Sequence, residues 1–407
     1  MAMLDGLPLG PGPIAGEVRG ASTAVACELL KPLGEDIRFD NVHNGWQVRG
    51  FKGGHYLVAR HIENKSYDDA KLQGARALQE ALDIASVEDN NTNNLAAVSD
   101  SSIVVHEEQG KMILSISSAI DFSVGMQFQV TATNREGQVI PTPRRPVPRW
   151  HKSFRYYRLA QISSDVYEAY RNLYLAFESL LETCHPRAQG EREGGWIRRG
   201  LAAIHAEFGL ESFAPEGVRQ PSEFLYGILY ESTRCNLFHA QRANAILPYY
   251  NIDISRIRKA YDILLRLWRF LASTSLGAKS GGGVITYNGY RVWMDQVFGS
   301  SELGVCVTAD DSPGLHEDAE VSPKGLGVSY LKRCRYGGES ALGVVSAYIA
   351  EDDDLGRLPI INRIGLMLDR KLFAISFVRN LSLEGIGLLR VHVCQRLIQA
   401  NQPRTIF

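Results

Sequence analysis

The sequence predicts a multidomain α+β protein in which a central four-helix bundle is flanked by an amino-terminal α+β domain and a carboxy-terminal β-rich domain. The first observation is length, because 407 residues are too many for one ordinary hydrophobic core. The second is a change in apolar spacing near residue 150, from the alternation of strands to the helical period of about 3.6, and back again near residue 276. The third is the composition at these changes, where 139–150 holds four prolines and 277–283 is rich in glycine.

These changes divide the chain into four parts. We expect an amino-terminal domain over 1–140, a proline- and arginine-rich linker over 141–150, a helical bundle over 151–275 and a β-rich domain over 276–407. Apolar residues make up 45% and charged residues 22% of the chain, which is typical of folded globular domains. The formal net charge is −1, so any affinity for phosphate must come from a local patch of charge.

The amino-terminal region combines short strands with one helix. The stretch 66–85 is predicted to be a helix because Ser66 is a suitable N-cap and acidic residues occupy the first turn. The residues "EQG" at 108–110 supply a hairpin turn. Runs with β-rich or alternating composition predict strands at 55–62, 102–108, 111–120 and 126–134.

The central region has helical periodicity. Apolar residues from Leu159 to Leu180 recur at alternating spacings of three and four, which predicts one long helix with a continuous buried face. The predicted helices cover 158–184, 195–209, 221–243 and 253–274. Four helices of these lengths with short connections are typical of a bundle.

The last region returns to strand-like patterns. Candidate strands lie at 284–294, 303–309, 341–350, 373–380 and 387–398. Turn residues recur between them at fairly regular intervals, which favours a β-sandwich or a barrel.

Several features predict a protein of the reducing cytoplasm. The six cysteines are scattered and none forms a CxxC pair, which is typical of isolated thiols. The first twenty residues lack the basic and apolar segments of a signal peptide. No apolar run approaches the ~20 residues that cross a bilayer, so we expect no membrane partner.

Motifs for cofactors and metals are weak. The stretch "GAKSGGG" lacks the Gly-Lys-Ser order of a phosphate-binding loop, and "EDDDLG" at 351–356 lacks the ligand order of a calcium loop. The ten histidines are dispersed, and no pair stands at zinc-ligand spacing beside cysteines. We therefore expect neither a cofactor nor a metal.

One cluster of positive charge stands out between 144 and 158. It contains no acidic residue and is interleaved with aromatic residues, including Trp150. Basic residues beside aromatic rings suit a nucleic-acid backbone with bases to stack, so the cluster is a candidate RNA-binding site. The alternative is a solvated linker whose aromatic residues pack on the bundle. The candidate RNA-binding residues are Arg144, Arg145, Arg149, Lys152, Arg155 and Arg158.

The most informative stretch is "YESTRCNLFHAQR" at 230–242, on the third predicted helix. Phe224, Ile228, Cys235 and Phe238 fall on one face at helical spacing, which predicts a core face with Arg234 and His239 at its margin. An R-x-x-x-x-H element on the third helix of a four-helix bundle resembles the HEPN superfamily, especially its Apea-like branch. The resemblance covers about residues 151–275 and includes the long first helix and the closing amphipathic helix.

The resemblance implies metal-independent cleavage of RNA by a homodimer whose two bundles place both motifs in one cleft. His239 would transfer a proton during attack of the 2′-hydroxyl on the adjacent phosphate, and Arg234 would hold that phosphate. The products would be a 2′,3′-cyclic phosphate and a 5′-hydroxyl. Work as a toxin or an antiviral defence effector would suit such an architecture by analogy.

The chemistry also follows from the residue types. Attack by an internal hydroxyl needs a proton acceptor near neutral pH, which histidine supplies. It also needs a fixed cation at the phosphoryl oxygens, and a guanidinium matches that geometry. Because RNA carries its own nucleophile, the mechanism requires neither a metal nor a covalent intermediate.

Two departures from the pattern leave alternatives open. Many active members of the superfamily carry a polar residue directly after the arginine, where this chain has Cys235, so we assign Asn236 the orienting role. Positions five apart on a regular helix also point about 140° from each other, so a local irregularity or a second subunit is needed. The alternatives are a non-catalytic nucleotide- or RNA-binding module and a dimerisation scaffold.

Overall fold

The computed structural model describes residues 1–10, 20–88, 93–96, 101–122, 133–140, 150–163, 165–248, 254–278, 287–311, 328–341, 344–358, 360–369 and 371–397. Leaving aside residues 399–407, the chain divides into two compact units. The sheet unit comprises Met1–Ser123 and Ile285–Ile398, and the helical unit comprises Val124–Val284. The chain is a mixed α and β protein, as predicted. Its first and last regions, however, belong to one unit and do not form separate domains.

A pair of distant strands joins these two regions. β8 (Lys111–Phe122) lies parallel to β16 (Leu388–Leu397), and the register places Leu114 opposite Leu389. Both residues are fully buried, so the two strands share one apolar face. The sequence carries no mark of this pairing, because periodicity reports which face of a strand is buried and not which strand lies beside it.

The pairing completes a ten-stranded sheet. The order across it is β11-β13-β16-β8-β7-β3-β6-β5-β4, and β12 pairs with β13. The remaining strands of this sheet are β3 (Thr23–Glu28), β4 (Ile37–Val42), β5 (Trp46–Gly50), β6 (Tyr56–His61), β7 (Ser101–Glu108), β11 (Arg333–Arg335), β12 (Gly338–Ala341) and β13 (Val344–Asp352).

The predicted strands at 55–62, 102–108, 111–120, 341–350 and 387–398 are all part of this sheet, whereas β3, β4 and β5 were not predicted. The predicted strand at 126–134 lies mostly outside the described residues.

The helix predicted at 66–85 is α1 (Tyr67–Glu88). Ser66 caps it as expected, because its hydroxyl accepts a hydrogen bond from the Asp69 N–H at 3.3 Å and donates one to the Asp69 carboxylate at 2.7 Å. The helix packs its alanine-rich face on the ten-stranded sheet, in a core that includes Val25 and Trp46.

A four-stranded sheet packs against the other face of the ten-stranded sheet, and the two share an apolar core. The predicted sandwich or barrel was to be formed by residues 276–407 alone, whereas the ten-stranded sheet takes strands from both the first and the last region. The second sheet consists of β9 (Leu303–Thr308), β10 (Ser329–Tyr330), β14 (Ile361–Leu368) and β15 (Lys371–Leu381), and a short hairpin precedes both sheets with β1 (Met3–Leu4) and β2 (Leu7–Pro8).

One strand prediction in this region is wrong. The stretch 284–294 contributes to α8 (Tyr287–Ser300), which is a helix. Tyr290, Met294 and Phe298 are buried at spacings of four, and this helical period becomes visible only when the pattern is followed beyond Met294.

The helical unit contains more segments than the four helices predicted. They are α2 (Lys152–Ile162), α3 (Val166–Cys184), α4 (Glu193–Phe208), α5 (Pro221–Leu225), a π-helical segment (Tyr226–Arg234), α6 (Cys235–Phe238) and α7 (Ile254–Leu276). They enclose one apolar core, in which Tyr174, Phe177 and Leu264 are fully buried.

The long helix predicted at 158–184 is in fact two helices. The backbone of Ser163 is extended, and the Asp165 carboxylate accepts a hydrogen bond from the Tyr167 N–H at 2.7 Å, which starts α3. Ile162 is 66% exposed, so the continuous buried face begins only at Val166.

Within the described ranges, no helix has the length and hydropathy needed to cross a bilayer.

Candidate functional site

The predicted third helix is irregular where its candidate catalytic residues lie. Nine residues, Tyr226–Arg234, form a π-helical segment, and the N–H of Cys235 donates to the carbonyl of Tyr230, five residues earlier. The irregular turn shifts the buried face. Leu229 and Leu237 are buried, whereas the predicted core residues Phe224 and Ile228 are only partly buried.

Side chains from α3, α6 and α7 bind carbonyl groups of the irregular segment. The hydroxyl of Tyr170, on α3, donates to the carbonyl of Leu229 at 2.6 Å. The carbonyl of Ser232 accepts hydrogen bonds from Asn236 Nδ2 at 3.1 Å and from Arg256 Nη2, on α7, at 3.4 Å. Because helix carbonyls need partners, these hydrogen bonds stabilise the irregular turn.

Arg234 and His239 meet despite their separation of five residues. The helix ends at Phe238, and the backbone of His239 is extended, with φ −125° and ψ 90°. This turn directs the imidazole back toward the helix, so that Arg234 Nη1 lies 3.0 Å from His239 Nε2. The predicted convergence therefore arises within one chain, through a local irregularity.

The contact gives the direction of the hydrogen bond. A guanidinium only donates hydrogen bonds, so Nε2 of His239 is the acceptor. A neutral imidazole is the form that can take a proton during catalysis. Both residues are only partly buried, and the Arg234 side chain is 13% exposed.

A carboxylate from α4 binds the other end of the guanidinium. Glu193 Oε1 lies 2.7 Å from Arg234 Nη2, in an ion pair that lacks the alignment of a good hydrogen bond. Glu193 is the first residue of α4, and no motif or spacing in the sequence indicates its role.

A second carboxyl group lies next to this ion pair. The pKa of Glu178 is raised from 4.5 to about 7, first by burial and then by a hydrogen bond with Glu193 and the negative charge of Glu193, while Arg234 opposes the shift. Glu178 therefore keeps a proton up to about neutral pH and donates it in the hydrogen bond to Glu193. The site holds an arginine, a histidine and a hydrogen-bonded pair of acidic side chains within one cluster, which we call the Arg234 cluster.

Aromatic rings surround the guanidinium. Its carbon lies 5.0 Å from the centre of the Phe238 ring, 5.6 Å from that of Tyr230 and 5.9 Å from that of Tyr174. Burial raises the pKa of the Tyr174 hydroxyl well above its usual value, and that hydroxyl has no hydrogen-bond partner among the described residues. The rings hold the guanidinium in place and reduce its contact with water.

The structure does not bring Asn236 to the pair. Its amide nitrogen donates to the carbonyl of Ser232, so its role in the described geometry is to support the helix. Cys235 is buried on the core side of the helix. Glu193, and not Asn236, contacts the pair, through the guanidinium of Arg234.

Two other charged side chains near Arg234 and His239 contact different groups. Arg171 Nη2 donates to the carbonyl of Leu237 at 3.2 Å and so binds the end of the helix beside His239. Glu231, three residues before Arg234, lies 3.9 Å from Arg198. The charge that neutralises Arg234 therefore comes from another helix.

Of the candidate RNA-binding residues, Lys152, Arg155 and Arg158 are exposed on α2, at spacings of three. Arg144, Arg145 and Arg149 lie outside the described residues. Among the residues that the structure describes, no group of three or more His, Cys, Asp and Glu side chains is arranged to hold a metal ion.

Comparisons of the chain with protein-family models, with curated protein sequences and with solved structures give no match. The assignment of function therefore rests on the geometry of the Arg234 cluster and on the surface of the helical unit.

Proposed function

We propose that this protein is a metal-independent endoribonuclease of HEPN type, and that the Arg234 cluster is its active site. One observation carries the proposal. The guanidinium of Arg234 and the imidazole of His239 meet at 3.0 Å, on a partly exposed surface at the end of a π-helical segment. Irregular turns of this kind are frequent at functional sites.

The cluster suits attack of a 2′-hydroxyl on the neighbouring phosphate. The phosphate oxygens replace Glu193 and His239 as acceptors of the Arg234 guanidinium, which then stabilises the charge that develops on phosphorus. This exchange releases Nε2 of His239, and the neutral imidazole takes the proton of the 2′-hydroxyl while its oxygen bonds to phosphorus. The bond from phosphorus to the 5′-oxygen breaks, and the leaving 5′-oxygen takes a proton from water. The displaced Glu193 accepts a hydrogen bond from Glu178, which reduces the effect of its negative charge beside the substrate.

The expected assembly is a homodimer formed through the helical unit, in which a second copy supplies the rest of the cleft. The exposed basic residues of α2 would then contact the RNA backbone outside the cleft. A homodimer and RNA binding are both parts of the proposal.

The decisive experiment incubates the full-length protein with a 5′-labelled single-stranded RNA in the presence of EDTA. Cleavage should yield 2′,3′-cyclic phosphate ends, and an RNA with a 2′-deoxy residue at the cleaved position should stay intact. His239→Ala should reduce the rate at least about a hundredfold, since removal of a general base costs about 10²- to 10⁴-fold. His205→Ala, which changes another partly buried histidine of the helical unit, should retain activity. Cleavage by His239→Ala at the wild-type rate would refute the proposal.

A second candidate function is RNA binding without cleavage. It is favoured by the engagement of Arg234 at both ends, with Glu193 and His239, and by the buried Cys235. In that case the same RNA binds tightly, Arg234→Gln weakens binding, and no cyclic phosphate forms.

A further inference from the structure

We infer that α2 and α7 together form a track for single-stranded RNA, which begins beside the Arg234 cluster and ends at Trp150. The position at which this RNA is cut rests on the proposed function, whereas binding of the RNA along the track does not depend on cleavage.

The solvent side of α7 is strongly basic. Arg256, Lys259 and Arg266 are exposed, and Arg269 is half-buried. The only acidic residue within the whole of α7 is Asp262, and α2 contains none. The chain as a whole has a net charge of −1, so this excess of positive charge belongs to one surface and is not a property of the whole protein.

The basic surface begins at the candidate active site. Arg256 Nη2 donates to the carbonyl of Ser232 at 3.4 Å, two residues before Arg234. From Arg256 to Arg269 the helix rises by about 20 Å, at about 1.5 Å per residue. Cations therefore accompany the helix over a length that several nucleotides of an extended strand would occupy.

α2 lies antiparallel beside α7 and continues the basic surface. Gln161, near the end of α2, donates to the hydroxyl of Tyr261 near the start of α7 at 3.0 Å. Earlier in α2, the ring of Tyr157 stacks on Trp268 with the ring centres 4.1 Å apart. Arg155 and Arg158, which are exposed, thus extend the surface formed by α7.

The far end of the track has an aromatic platform. Trp150 directly precedes the capping residue of α2 and is 71% exposed, in contrast to the rings of Tyr157 and Phe154, which pack on Trp268. Lys152 is exposed two residues later. An exposed indole beside cations is the arrangement on which a base of a single strand stacks while its phosphates bind the cations. The geometry thus favours a flexible single strand as the occupant.

The first test measures the dissociation constant of a fluorescent 2′-O-methyl single-stranded RNA by anisotropy at several salt concentrations. This RNA keeps its phosphates but lacks the nucleophile, so binding is measured without cleavage. Each phosphate contact contributes about 0.7 to the slope of log K against log salt concentration. The double variant Lys259→Gln/Arg266→Gln should therefore bind more weakly and lower the magnitude of that slope by about 1.4. The matched control Lys31→Gln/Lys52→Gln removes two exposed cations of the sheet unit and should leave the slope unchanged.

The second test addresses Trp150. Trp150→Ala should weaken binding about fivefold or more, since stacking on an aromatic residue is worth about 1–3 kcal/mol per base. The wild-type tryptophan fluorescence should be quenched by the RNA, the quenching should decrease in Trp150→Ala, and Trp150→Phe should recover much of the affinity.

The outcomes separate the track from the nuclease. Equal slopes for the Lys259→Gln/Arg266→Gln variant and the control overturn the track, even if the protein cleaves RNA. Tighter binding to phosphatidylserine vesicles than to RNA, with the same dependence on Lys259 and Arg266, overturns it as well. A reduced slope without any cleavage supports the track and counts against the nuclease proposal alone.

Discussion

Glu178→Gln should abolish most of the decrease in stability that the helical unit undergoes as the pH rises from about 5 to about 8. Burial and the neighbouring Glu193 raise the pKa of Glu178 from 4.5 to about 7 in the folded protein. Between these two pH values the folded state keeps a proton that the unfolded chain has lost. The free energy of unfolding therefore falls as the pH rises through this window and is unaffected by this group below pH 4.5.

The size of the effect follows from the shift. At about 1.36 kcal/mol per pH unit, a pKa difference of about 2.5 corresponds to a ceiling of about 3.4 kcal/mol. The side chain is only partly buried, and screening by water lowers the expected loss to about 2 kcal/mol. Glutamine has nearly the same shape and cannot ionise. The variant should therefore match the wild type near pH 5 and exceed its stability by about 2 kcal/mol near pH 8.

Hydrogen exchange is the appropriate assay because it reports the opening free energy of chosen segments. Peptides from α3 and α4 should show protection that decreases with pH in the wild type but much less in Glu178→Gln, after correction for the intrinsic exchange rate. Glu207→Gln, at an exposed position of α4, serves as the control and should keep the wild-type dependence. The reasoning fails if Glu178→Gln loses as much protection as the wild type over the same pH range.

Two further pairs of variants test the packing around the site by denaturant unfolding. Tyr170→Phe should lower the free energy of unfolding by about 1–3 kcal/mol because a buried carbonyl of the π-helical segment loses its donor. Tyr174→Phe removes a hydroxyl that has no partner among the described residues, so this variant should be neutral or slightly stabilising. Equal losses for the two would contradict this difference. Gly200→Ala should lower the free energy of unfolding by about 1–3 kcal/mol because the new methyl group would lie 2.8 Å from the buried Leu181. In Gly195→Ala the methyl group meets no atom within 4 Å, so the free energy of unfolding should rise by up to about 1 kcal/mol. A stable Gly200→Ala would show that the two helices have room to move apart.

Local patterns in the sequence predicted many elements of the fold, but they could not predict which distant segments pair with each other. The alternation in β8 and the capping residue Ser66 of α1 each act within a few residues, so each is visible in the sequence. The parallel contact of β8 with β16 joins segments more than 260 residues apart, and no local pattern encodes it. The break between α2 and α3 has a local cause, the cap at Asp165, but the apolar spacing across it looked continuous.

The candidate site shows the same division. The spacing of Arg234 and His239 indicated a functional pair, and the structure brings them together. Glu193 was missed because it comes from another helix, and Asn236 was assigned a role that its hydrogen bond to Ser232 does not support. A helical wheel assumes a regular helix, and this segment is irregular because residues of α3 and α7 bind its carbonyl groups.

The charges of the Arg234 cluster also indicate what a substrate must do to enter it. Arg234 already binds one carboxylate, so an incoming phosphate competes with Glu193 for the same guanidinium. A phosphodiester carries one negative charge, like the carboxylate, but it offers two oxygens to the two nitrogens of the guanidinium that Glu193 and His239 now occupy. The hydrogen bond from Glu178 weakens the competitor, because a carboxylate that accepts a hydrogen bond from a neighbouring acid binds a cation less strongly. The paired acids therefore hold Arg234 in position in the free protein, and the hydrogen bond between them lowers the cost of releasing it to a phosphate.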